Sequence, residues 1–111
     1  IALENVYGNL VSMAELAKVN NIKVIFCSVM PAYDFPWRPG MKPADKVIQL
    51  NKWIKEYADK NGLTYVDYHS AMKDERNGLP ANLSKDGVHP TLEGYKIMEK
   101  IVLEAIHKTV K

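Results

Sequence analysis

The sequence predicts an α/β fold built on a parallel sheet. Two short runs rich in β-branched residues alternate with three stretches of helical apolar spacing, in the order helix, strand, helix, strand, helix. The first run, Ile22 to Val29, lacks polar alternation, as a strand covered on both faces does. Strands joined by helices of this length call for right-handed crossovers between parallel neighbours.

The first helix runs from about Ala2 to Val19. Leu3, Val6, Tyr7, Leu10, Met13, Ala14 and Ala17 give it one apolar face. Asn20-Asn21 ends it, because Asn tolerates left-handed backbone. The strand Ile22–Val29 follows and contains the single cysteine, Cys27, which is expected to be a buried thiol. From Pro31 to Pro43 four prolines exclude both a helix and a central strand. This is a long loop at a strand end, and it carries Tyr33, Phe35, Trp37 and Arg38. Pro43 suits the first turn of the second helix, whose apolar face is Val47, Leu50, Trp53, Ile54, Tyr57 and Ala58. Asn61-Gly62 stops it. Leu63 to Tyr68 reads as the second strand, and a polar stretch with Asn77-Gly78 and Pro80 comes next. The third helix spans Thr91 to about Lys108, with Leu92, Tyr95, Met98, Val102, Ala105 and Ile106 on one face. The methionines and aromatics of all three helices, Trp53 among them, are expected in the core. His107 lies in the last helical turn, where a cation suits the dipole.

The chain has 111 residues, 47% of them hydrophobic, so it is long and apolar enough to bury a core within one domain. Fifteen Lys and Arg stand against thirteen Asp and Glu, and this near balance offers no electrostatic reason to expect nucleic acid or an anionic membrane as partner. A lone cysteine excludes an intrachain disulfide and a cysteine-based zinc site. No apolar stretch approaches a membrane span. No signal-peptide pattern is visible, and the chain opens at Ile1, without Met, directly into helical spacing.

The stretch richest in chemistry is Asp86-Gly87-Val88-His89-Pro90. A carboxylate three residues before a histidine can fold back in a turn and accept the imidazole Nδ1–H. Gly87 relaxes the backbone there. Pro90 and Thr91 then launch the helix, with Thr91 as N-cap. A histidine oriented by an aspartate keeps its Nε2 lone pair free, which is the base half of a nucleophile–base–acid triad. The same spacing also serves turn formation and capping alone. Asp67 and His69 form a second Asp/His pair, and the two pairs together raise the alternative of an Asp/His metal site.

The longer stretch Asp86-Gly87-Val88-His89-Pro90-Thr91-Leu92-Glu93-Gly94-Tyr95 resembles the last sequence block of the SGNH/GDSL family of serine esterases and lipases. That block is D-x-x-H-P, a helix-starting residue, and often G-Y, here Gly94-Tyr95. The resemblance implies a three-layer α/β/α, flavodoxin-like fold. Of that fold this chain carries the C-terminal half, with two parallel strands and three helices, as one partial domain over residues 1–111. It further implies that His89 is the general base toward a serine nucleophile and that Asp86 orients it. The family's G-D-S nucleophile motif and G-x-N-D oxyanion block are absent: Ser12, Ser28, Ser70 and Ser84 stand in other contexts. Ile1 falls just downstream of where that missing Asn would be.

The expected function is therefore that of a C-terminal portion of a carboxylic ester hydrolase, inactive by itself. Short acyl esters such as acetylated carbohydrates are the expected substrates. No metal and no organic cofactor is required. Trp37 and Arg38 are the candidate substrate-binding residues, since ligands of α/β sheets bind beyond the carboxyl ends of the strands. Two strands alone leave an open sheet edge, and a second copy in a homodimer is the expected cover. The competing class is a small non-catalytic α/β interaction module in which the Asp86–His89 turn is structural.

Overall fold

The computed structural model describes residues 2–110; Ile1 and the expectation attached to it lie outside them. Six elements follow in chain order: α1 (Leu3–Val19), β1 (Ile25–Cys27), α2 (Ala44–Lys60), β2 (Thr64–Val66), α3 (Tyr68–Met72) and α4 (Leu92–Thr109). The strands pair in parallel, Ile25 opposite Thr64, Phe26 opposite Tyr65 and Cys27 opposite Val66. The Ser28 N–H extends the ladder to the Val66 carbonyl at 2.8 Å. Both strands are shorter than the apolar runs that announced them, because their flanking residues leave the ladder at the loops.

Neighbouring residues of a strand point to opposite faces. Phe26 meets Tyr57 of α2, with ring centroids 5.9 Å apart. Ile25 packs instead with the cluster of Val66, Met72, Leu83 and Ala105. So α2 covers one face of the sheet and α4 the other, and the molecule has three layers. α1 packs against α2, where Tyr7 meets Trp53 and Tyr57 at centroid distances of 5.7 and 6.4 Å.

α1 and α2 end in the same way. The Asn20 and Asn61 side-chain amides donate to Leu16 and Tyr57 carbonyls, each at 2.8 Å. The next residue, Asn21 or Gly62, takes positive φ, and the residue after it donates its N–H back into the last turn. Thr91 caps α4, its hydroxyl accepting the Gly94 N–H at 3.3 Å.

Three expectations are corrected. A fourth helix, α3, occupies residues 68–72, where a strand end and a polar stretch were expected. Asp67 initiates it by accepting the Ser70 N–H at 3.0 Å, and Tyr68, His69 and Met72 are buried. Cys27 is exposed rather than buried. Among the described residues β1 pairs only with β2, which is the two-stranded sheet that was expected. The apolar faces of the helices are also only partly covered: Met13 of α1 and Leu92, Tyr95 and Ile106 of α4 are exposed, because α1 packs mainly on α2 and α4 turns a narrower stripe to the sheet than its composition suggests. No helix among the described residues is long and apolar enough to cross a membrane.

Candidate active site

The Asp86–His89 turn sits between the core and the start of α4. Its base is closed by backbone pairing of Ser84 with Pro90 and by the Thr91 N–H donating to the Leu83 carbonyl at 2.7 Å. Gly87 has φ +83°, a conformation that a side chain disfavours. Gly94 brings α4 up against the turn. A Cβ there would lie 3.0 Å from both the Leu83 carbonyl oxygen and Pro90 Cβ.

Within the turn the two oxygens of Asp86 act separately. Oδ1 accepts the Val88 and His89 N–H groups at 2.9 and 2.8 Å. Oδ2 lies 2.6 Å from His89 Nδ1. The His89 imidazole, first, and then the His89 and Val88 backbone N–H groups hold the Asp86 carboxyl well below the usual carboxylate range. It is therefore an anion with no proton to give, so Nδ1 is the donor. In the neutral ring Nε2 is then the lone-pair nitrogen. The expected fold-back of the carboxylate onto the imidazole is what the structure contains. The His89 side chain is 71% exposed and lines an open cleft with Lys85, Pro90 and Leu92.

The loop after β1 reaches the same place. Asn51 of α2, buried, anchors its first residues by a pair of bonds with Val29: Oδ1 accepts its N–H at 2.7 Å and Nδ2 donates to its carbonyl at 3.0 Å. Asp34 organises the tip by accepting the N–H groups of Phe35, Gly40 and Lys42 at 3.0, 3.0 and 3.2 Å. These bonds, the Gly40 N–H foremost, lower its pKa. Gly78 allows the segment before the turn to close on the loop, since a Cβ there would sit 2.8 Å from Tyr33 Cβ. Trp37 stacks on Phe35, centroids 5.2 Å apart and planes 13° from parallel. Its ring centroid is 6.0 Å from that of His89.

The structure brings three of the expected site residues together. Asp86 and His89 pair, and Trp37 stands beside them. Arg38 is exposed, closes the loop tip through its backbone N–H onto the Phe35 carbonyl at 3.1 Å, and joins no ion pair among the described residues. Asp67 and His69 are not brought to Asp86 and His89. Asp67 caps α3, and His69 is buried with its Nε2 lacking a partner among the described residues. Among the described residues no group of three His, Cys, Asp or Glu side chains is gathered for a metal. Sequence reasoning missed Asp34 and Asn51, whose bonds to backbone span a loop or join two elements. It also passed over Ser84, whose hydroxyl touches the turn. A serine two residues ahead of an aspartate was the available signal.

The fold recurs in solved proteins. A solved GDSL-like lipase from Bacteroides thetaiotaomicron VPI-5482 is 47% identical and superposes with a TM-score of 0.93, over 96% of this chain and 53% of that one. A structure from Bacteroides fragilis NCTC 9343, described as a candidate acylhydrolase, is 44% identical with a TM-score of 0.96, over 99% of this chain and 54% of that one. An acetylxylan esterase of Xylanibacter ruminicola is 29% identical over 85 residues, which are 76% of this chain and 16% of that protein. The chain spans about half the length of the solved relatives it matches. The model of the GDSL-like lipase/acylhydrolase family matches residues 2–97, nearly the whole chain, and the chain belongs to that family.

Proposed function

We propose that this chain is the C-terminal part of a serine ester hydrolase and supplies the Asp–His portion of its Ser-His-Asp triad. The observation that carries the reading is the 2.6 Å contact between His89 Nδ1 and Asp86 Oδ2. With Nδ1–H held by the carboxylate, Nε2 takes the proton of a serine hydroxyl as that oxygen attacks the ester carbonyl. The imidazolium, stabilised by Asp86, returns the proton to the departing alcohol. Nε2 then deprotonates water, which releases the acid from the acyl-enzyme and restores the serine. No step calls on a metal or organic cofactor.

The serine and the oxyanion donors come from outside these 111 residues. Without them the pair has nothing to activate, so the isolated chain is inert. The substrate is a short acyl ester of a carbohydrate, a reading supported by the acetylxylan esterase among its relatives. Trp37 lies against the ester's alcohol side, and Arg38 contacts that group from the loop tip. The open edge of β1 is covered by a preceding strand in the longer protein, and by a second copy when the chain is alone.

Two measurements test this. A polypeptide extended upstream by its own coding sequence releases acetate from acetylated xylo-oligosaccharides, and the 111-residue chain does not. Clear release by the pure 111-residue chain, dependent on Asp86 and His89, contradicts the reading. In light scattering the chain alone runs as a dimer; a monodisperse, native-like monomer removes the proposed edge pairing.

A further inference from the structure

We propose that Ser84 is a positioning residue for the Asp86–His89 pair, and that its hydroxyl fixes which imidazole nitrogen of His89 carries the proton. Ser84 is buried, with 2% of its surface exposed, so its hydroxyl bonds to the turn rather than to water. Three groups of the turn surround Oγ. It accepts the Gly87 N–H at 2.9 Å. The His89 carbonyl oxygen lies 2.7 Å away and Asp86 Oδ1 lies 3.2 Å away. A hydroxyl has one proton, and the shorter contact marks the His89 carbonyl as its main acceptor.

One side chain thereby ties down the two ends of the turn and its left-handed residue. Ser84 is itself held, its N–H donating to the Pro80 carbonyl at 3.0 Å and its backbone pairing with Pro90. Asp86 Oδ1 is left to the Val88 and His89 N–H groups, which aims Oδ2 at Nδ1. Without the hydroxyl, the Gly87 N–H and the His89 carbonyl both lose a partner. The turn then relaxes at the two residues that set the carboxylate against the ring. The chain of contacts is local and continuous, from Ser84 to the turn backbone to Asp86 to the imidazole.

The inference rests on the reading of Asp86 and His89 as a working pair, but its test reads the imidazole directly and needs no activity. Nitrogen-15 spectra of the ring are recorded for the 111-residue chain at alkaline pH, where histidine is neutral. H89Q identifies the His89 signals among those of His69 and His107. The unsubstituted chain shows the Nδ1–H form in excess. S84A shifts the ratio of the two forms several-fold toward Nε2–H, while helix content stays the same. If S84A does not fold, S84C, nearly the same shape with a weaker donor and acceptor, gives the same shift. An unchanged ratio in either folded variant, with a lowered melting temperature alone, assigns Ser84 to turn stability only and overturns the proposal. An unsubstituted chain without the Nδ1–H excess instead contradicts the Asp86–His89 reading beneath it.

Discussion

His89 Nδ1 and Asp86 Oδ2 lie 2.6 Å apart, and the carboxylate oxygen that shapes the turn is the other one, Oδ1. The acid is therefore both the scaffold of the turn and the partner of the ring. Its pKa is lowered in the fold by the His89 imidazole first and the turn N–H groups next. The unfolded chain binds a proton at this site more readily than the folded one. The stability it contributes is present above the ordinary carboxylate value of 3.8 and is lost as pH falls below it, toward the folded value.

His69 adds a separate acid-sensitive window. Burial, above all, lowers its pKa, so it is neutral in the fold. Its contribution is full above the ordinary histidine value of 6.5 and declines as pH falls from there. Urea melts against pH should therefore weaken in two stages, one beginning near 6.5 and one near 3.8. H69Q flattens the first stage, and D86N reduces the second, to which Asp34 and Asp74, also lowered by backbone N–H groups, contribute as well.

Glycine substitutions separate backbone strain, crowding and helix propensity. Gly87 has open space around it but φ +83°, so G87A destabilises by roughly 1–2 kcal/mol. Gly8, inside α1 with nothing within 4 Å, behaves oppositely, and G8A stabilises by roughly 0.5–1 kcal/mol. Gly94 is also helical, but its Cβ would press on Leu83 and Pro90, so G94A shows no such gain. Denaturant midpoints at constant slope measure all three.

The aromatic contact predicts a binding effect. In the upstream-extended enzyme, W37A raises KM for an acetylated oligosaccharide by roughly 3–10-fold, as expected for a contact worth about 0.7–1.4 kcal/mol. Its kcat changes little. A loss confined to thermal stability, with KM unaltered, makes Trp37 a packing residue of the loop.

Features set by local chemistry were legible in the sequence. The Asn20-Asn21 and Asn61-Gly62 stops, the Thr91 cap and the Asp86 fold-back each depend on residues within one turn of one another. The parallel pair followed from two short strand-like runs joined by a stretch of helical spacing. What escaped was short or non-local. α3 has five residues, too few for a helical period to register. The bonds of Asn51 to Val29 join residues 22 apart in sequence, and no spacing rule reports them. Trp37 stood out by its place on a strand-end loop, yet its approach to His89 depends on Asp34 and on the close contact of Gly78 with Tyr33. Cys27 was misplaced because an apolar run tells nothing about which edge of the strand is covered.

The pairing of Asp86 with His89 as catalytic base is tested most directly by kcat/KM for an aryl acetate, measured on the upstream-extended polypeptide and its H89A variant. The account predicts turnover in the unsubstituted protein and a fall on the order of 10⁴-fold or more in H89A, with the fold intact by circular dichroism. Retention of turnover within about tenfold in folded H89A would contradict it.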